Sequence, residues 1–149
     1  MITLCGVEEI KLDIKKFYKQ IILDHAKNKR NYKELDHYTH KIHYKNPTCG
    51  DILTMYALLE EEKVKDISFI GEGCFISMAS TSMFTDVVKN KSIEDIQRLS
   101  LQMEQMIVDG VEVDGDDLED ALSLKDIHQL PARYNCALMP WQAFNKLIK

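Results

Sequence analysis

The spacing of apolar residues changes several times along the chain. From Leu12 to Lys27, Leu12, Ile14, Phe17, Tyr18, Ile21, Ile22 and His25 recur at helical spacing, which predicts an amphipathic helix. The basic run Lys27 to Lys33 ends it and reads as a solvated helix end or a partner-docking edge rather than a nucleic-acid patch. Between His40 and Lys45, Ile42 and Tyr44 alternate weakly with polar neighbours, as in a short edge strand, and Asn46-Pro47 marks a turn. Ile52 to Glu60 and Val64 to Ile70 are apolar and β-rich. The short charged linker Glu60 to Lys63 predicts that they form an antiparallel hairpin, and Gly71-Glu72-Gly73 is expected to break the second strand.

The period then becomes helical. Met78, Met83, Phe84, Val87 and Val88 predict a helix over Ile76 to Lys89, with the methionines and Phe84 as packing residues. Ser92 followed by Asp95 is a near capping box that starts another helix, running to about Val108. Val113 to Asp117 is an acidic loop whose residue order does not fit a calcium loop. Asp116, Asp117, Glu119 and Asp120 make an acidic patch, read first as solvated. Leu118 to Leu130 offers one or two helical turns, and Pro131 interrupts. A last helix runs toward Lys149, with Trp141 and Phe144 as core anchors. Pro140 either kinks that helix or sits in its first turn. Three strands followed by several helices predict an α+β fold.

At 149 residues the chain has the size of one domain, so 1–149 is read as a single unit with residues 1–10 a loose leading segment. Hydrophobic residues make up 45% and charged residues 29%, a globular mixture. Acidic residues number 24 and basic ones 19, for a net charge of −5, which argues against nucleic acid or an anionic membrane as the partner. Glu8, Glu9, Lys11 and Asp13 interrupt any secretory core. The longest uncharged run, Gly73 to Thr85, has 13 residues and is too short to span a bilayer. A cytoplasmic location is expected, where scattered cysteines are more often ligands or reactive thiols than disulfides.

Four cysteines, Cys5, Cys49, Cys74 and Cys136, are separated by 44, 25 and 62 residues, so no zinc ribbon or CxxC redox pair is present. Cys49 sits in Asn46-Pro-Thr-Cys-Gly-Asp51, where Asp51 can point the same way if a strand begins there. Cys74 follows Gly71-Glu-Gly73, glycines expected to let the chain turn tightly, and precedes a helix whose dipole favours thiolate. Cys136 lies near the start of the last helix with Arg133 one turn before it. Three cysteines at element ends and one aspartate suit a tetrahedral S3O metal site. On spacing alone they suit better the small buried apolar residues that free cysteines most often are. Cys5 carries no assignment. His37, His40 and His43 recur every third residue, which does not suit one strand face, so they read as surface histidines rather than a second metal site.

Asn-Pro-Thr-Cys-Gly-Asp, Gly-Glu-Gly-Cys-Phe-Ile-Ser-Met-Ala-Ser and Pro-Ala-Arg-x-x-Cys-Ala-Leu-x-x-Trp, in that order, resemble the three signatures of the U-type (IscU/NifU-like) iron–sulfur assembly proteins. The resemblance runs from about Phe17 to Leu147. It implies an IscU-like fold, a small three-stranded antiparallel sheet packed with several helices. The scaffold branch carries a histidine immediately before its last cysteine, where this chain has Asn135. That difference and the long stretch between Cys74 and Cys136 resemble the SufU branch.

This resemblance implies zinc held by Cys49, Asp51, Cys74 and Cys136, with Cys49 as persulfide acceptor and Arg133 as the motif arginine. It implies a SufS-type cysteine desulfurase as sulfur donor and a SufBCD-type scaffold as the expected recipient. The chain would then be a zinc-dependent sulfurtransferase, Asp51 tuning the site and Arg133 steering the thiolate or the incoming persulfide. The alternative is a scaffold that assembles a [2Fe–2S] iron–sulfur cluster on the same cysteines. A third reading, an adaptor with structural zinc that only activates the desulfurase, is least favoured.

Overall fold

The computed structural model describes residues 16–48, 50–113 and 116–149. Helix α1 covers 16–27; Leu12 and Ile14 of the expected helix lie outside the described residues, as do Cys5 and the 1–10 segment. Strands β1 (His40–Lys45), β2 (Ile52–Glu60) and β3 (Lys63–Glu72) follow, then helices α2 (Phe75–Val88) and α3 (Ile93–Val108). A 3-10 segment over Glu119–Gln129, a second over Pro131–Arg133 and helix α4 (Tyr134–Leu147) complete the order. The predicted α+β class holds.

The sheet is antiparallel in the order β1-β2-β3, so β1 is an edge strand as its weak alternation suggested. β2 and β3 form the expected hairpin, closed by the pair Glu60 and Lys63. Its two loop residues, Glu61 and Glu62, both take positive φ, 52° and 64°. This is the backbone of a type I′ turn, which suits the strand twist but normally uses Asn-Gly. Glu62 also accepts the Ile93 amide at 2.9 Å, which ties the start of α3 to the hairpin. Ser92 caps α3 as expected, accepting the Asp95 amide at 3.1 Å.

The outer side of β3 is closed by residues 31–33. Phe69 donates to Asn31 O and Lys33 donates to Phe69 O, both at 3.0 Å. The Tyr32 hydroxyl donates to the Gly71 carbonyl at 2.9 Å. Pairing this edge removes an aggregation-prone surface.

Helices α2 and α4 pack against each other, and they cover the sheet through β3 and β1 respectively. The core is built of Phe69, Met83, Phe84, Trp141 and Phe144, all nearly inaccessible, and Phe84 meets Trp141 edge-on at 4.8 Å. Pro140 lies inside α4, the first of the two placements its sequence position allowed. Proline removes one helical hydrogen bond in the turn that carries Cys136. Beside it, the Ser80 hydroxyl of α2 donates to the Ala137 carbonyl and fastens the two helices at that turn.

Two expectations change. β3 continues through Gly71 and Glu72 instead of stopping before them. The Leu118–Leu130 region holds one 3-10 segment of 11 residues, longer than one or two turns. Part of that segment's acidic patch is structural. Asp120 accepts from buried His25 at 2.8 Å, and His25 meets the Ser82 hydroxyl at 2.8 Å through its other ring nitrogen. Asp117 pairs with Arg98 at 3.6 Å. Among the described residues, no helix is long and apolar enough to cross a membrane.

The strained hairpin supplies a stability test. Replacing Glu61 by Asn and Glu62 by Gly is expected to stabilise the fold by about 1 kcal/mol, because positive φ suits the new residues. The thermal midpoint should rise by about 2–4 °C. An unchanged midpoint in a calorimetric scan would show that the turn carries no such cost.

Candidate metal centre

Each ligand candidate stands at an element end. Asp51 immediately precedes β2, Cys74 is the N-cap of α2, and Cys136 lies in the first turn of α4. Because β2 begins beside the end of β3, with Ile52 opposite Glu72, the chain leaving β3 passes directly over Asp51. The ligand atoms of Asp51, Cys74 and Cys136 all lie within 4.8 Å of one another. They form the single such group of three or more among the described residues. Cys49, the fourth residue of the expected set, lies outside the described residues.

The glycines act differently from the expectation. Neither Gly71 nor Gly73 has positive φ, so neither is needed for a tight turn. They are needed for lack of volume. A Cβ on Gly73 would lie 2.8 Å from the Asp51 carboxyl carbon, and one on Gly71 would lie 2.4 Å from the Ile52 carbonyl oxygen.

Asp51 is only 6% exposed and Cys136 is fully buried. The Cys74 amide donates to Asp51 Oδ1 at 3.2 Å. The Ser77 hydroxyl donates to Oδ2, and the Asn46 amide group approaches Oδ2 at 3.4 Å. Asn46 Nδ2 also lies 3.8 Å from Cys136 Sγ. Ser77 reaches the other sulfur too, its backbone N–H donating to Cys74 Sγ at 3.4 Å. Ser77 and Asn46 are themselves buried.

These two residues are functional positions that the sequence reading quoted in its motifs without giving them a role. Ser77 stands three residues after an N-cap, the place where a cap side chain accepts an amide. Asn46 begins an Asx turn, its Oδ1 accepting the Thr48 amide at 3.0 Å, while its own amide closes the loop onto the Asp51 carbonyl at 2.9 Å.

The donor set fits a soft divalent cation. Among the described residues, Asp51 has no lysine, arginine or histidine at ion-pair distance. A buried carboxylate with neutral donors alone lacks a countercharge. Two sulfurs and a carboxylate oxygen lie within the reach of one ion with metal–sulfur bonds of about 2.3 Å.

The remaining candidates fall outside this cluster. Arg133 is exposed at the end of the Pro131–Arg133 segment, one turn before Cys136. His40 and His43 bond to the Thr39 and Thr54 hydroxyls and join no metal-ligating group among the described residues. Around the centre, Ile52 and Phe75, each next to a ligand residue, are about half exposed.

A buried carboxylate and two thiols, gathered where a three-stranded sheet meets two helix starts, make a candidate metal centre in an α+β fold. The chain belongs to the NifU-like N terminal domain family, which it matches over residues 17–137. It is 40% identical over 129 residues to the zinc-dependent sulfurtransferase SufU of Bacillus subtilis, covering 87% of each chain. It is 33% identical over 132 residues to the iron–sulfur cluster assembly scaffold protein IscU of Streptococcus pyogenes, covering 89% of this chain and 82% of that one. The fold matches an iron–sulfur cluster assembly scaffold protein for the SUF system from Fervidobacterium islandicum, with a TM-score of 0.80 and 29% identity. That match covers 87% of this chain and 94% of the other.

The packing of Gly73 gives a test. Gly73→Ala should displace the Asp51 carboxylate and lower bound zinc per chain well below that of the parent. Gly50→Ala, where an added Cβ meets nothing within 4 Å, should leave zinc content unchanged. Elemental analysis of the two purified variants checks this, and equal zinc in both would contradict the geometry.

Proposed function

We propose that this protein is a zinc-dependent sulfur acceptor of iron–sulfur cluster biogenesis, taking sulfur from the persulfide of a SufS-type cysteine desulfurase onto Cys49. The observation that carries the reading is the convergence of Cys74 and Cys136 on the buried Asp51 carboxylate, which has no countercharge among the described residues. Similarity to a zinc-dependent sulfurtransferase over most of both chains supports it.

Asp51, Cys74 and Cys136 are the anchoring ligands, and Cys49, two residues before Asp51, completes the set. When bound, zinc keeps its cysteine ligands as thiolates, because coordination displaces the thiol proton. Cys49 is the nucleophile. Its thiolate attacks the terminal sulfur of the donor's persulfide. A new S–S bond forms on Cys49 as the donor's S–S bond breaks, and the donor cysteine leaves as thiolate, with no net oxidation.

The protein's other residues prepare that exchange. Asn46 closes the 46–51 loop and holds its carboxylate end, while Ser77 fixes Asp51 and Cys74 relative to each other. Arg133, exposed one turn before Cys136, has the role of steering the incoming persulfide. Ile52 and Phe75 offer apolar contact for the docking desulfurase, whose arrival excludes water from the exchange. The recipient of the sulfur is a SufBCD-type scaffold, and the protein acts in the cytoplasm.

The scaffold reading is the competitor, since the relatives include IscU proteins. Protein purified without oxygen should be colourless with one zinc per chain, whereas a brown protein with iron and sulfide would favour the scaffold. With desulfurase and cysteine supplied, Cys49→Ala is expected to accept no measurable sulfur while remaining folded. Sulfur uptake equal to the parent would refute the role given to Cys49.

A further inference from the structure

We propose that Asn135 is a positioning residue for the sulfur-acceptor loop, gripping Thr48, the neighbour of Cys49, and rooting it in the buried Tyr44. The proposal rests on the reading of Cys49 as the acceptor. Its ground is a relay of side chains with one direction throughout. The Tyr44 hydroxyl donates to Gln142 Oε1 at 2.8 Å. Gln142 Nε2 donates to Asn135 Oδ1 at 3.2 Å. Asn135 Nδ2 then donates to Thr48 Oγ1.

Each amide is oriented by the group behind it, so the last donor faces the loop. The root is firm. Tyr44 is buried in β1, and burial pushes its phenol above the ordinary tyrosine value. Lys146 lies over its ring at 5.2 Å.

The loop end is held twice. Thr48 receives Asn135 at its hydroxyl and gives its own amide to Asn46 Oδ1 at 3.0 Å. Asn46 in turn reaches Asp51 and Cys136. One turn of α4 thus supplies Cys136 and also grips the loop that contains Cys49. Holding the nucleophile's loop in register with the centre lowers the entropy that a bimolecular exchange must otherwise lose at each encounter.

The test uses the full-length, zinc-loaded protein with desulfurase. Asn135→Leu and Thr48→Val are near-isosteric and delete the two ends of the contact, whereas Thr48→Ser keeps the acceptor. Each deletion is expected to lower sulfur uptake at saturating desulfurase on the order of tenfold, with zinc content at the parent value. The double variant should be no slower than either single one, because both remove the same contact. Thr48→Ser should transfer at a rate close to the parent.

In metal-free protein, iodoacetamide should alkylate Cys49 faster in Asn135→Leu than in the parent. Parent-like uptake in Asn135→Leu, or single effects that multiply in the double variant, would overturn the proposal. Zinc loss in step with the loss of uptake would overturn it too, by making Asn135 merely structural. Cys49→Ser is the control for the reading beneath: if it still takes up sulfur, the acceptor assignment falls. The Cys49 alkylation comparison then decides the brace alone, and equal rates refute it.

Discussion

A buried carboxylate with only neutral donors around it among the described residues sets the terms for the rest of this molecule. Asp51 receives hydrogen bonds from the Cys74 amide and the Ser77 hydroxyl and lies beside the Asn46 side chain, yet none of these carries a positive charge. Burying a charge is costly unless an opposite charge compensates it. A divalent cation held by Asp51 and the two nearby sulfurs would supply that compensation. Stability of the centre and metal affinity would then be coupled, since an ion that completes the ligand set would also relieve the buried charge.

Several features of the fold serve this one point. The β2–β3 hairpin brings its open end, with Asp51 and Gly73, over the start of α2. A glycine at 73 is required because any side chain would occupy the place of the carboxylate. The Phe84–Trp141 contact and the Ser80–Ala137 hydrogen bond lock α2 to α4, and this fixes Cys74 relative to Cys136 although 62 residues separate them. Sequence separation of that size is expected when ligands come from the starts of packed elements rather than from one loop.

Much of this was legible in the chain. The strands, α2 and the Ser92-capped α3 followed from apolar pattern and capping, although β1 alternates only weakly and α2 is buried almost all round. The three candidate ligands lying in the described residues were legible as cysteines and an aspartate at element ends. What composition and spacing left open was whether these were ligands or buried apolar cysteines, a choice that depends on distance. The glycines were read as turn formers, but their role is steric and appears only once Asp51 is packed against them. Asn46 and Ser77 escaped, and Asn135 was legible only as a difference between branches, for the same reason: a polar residue's partner across the fold has no local sequence signature. His25 looked like one more residue on an amphipathic face, whereas it is a buried clasp between Ser82 and Asp120.

The central claim is that this chain gathers three thiolates and one carboxylate around a single ion. X-ray absorption at the zinc edge of the purified protein measures that directly. The account predicts three sulfur neighbours at about 2.3 Å and one oxygen at about 2.0–2.2 Å. A shell with two sulfurs or fewer, or one showing imidazole scattering from a protein histidine, would contradict it.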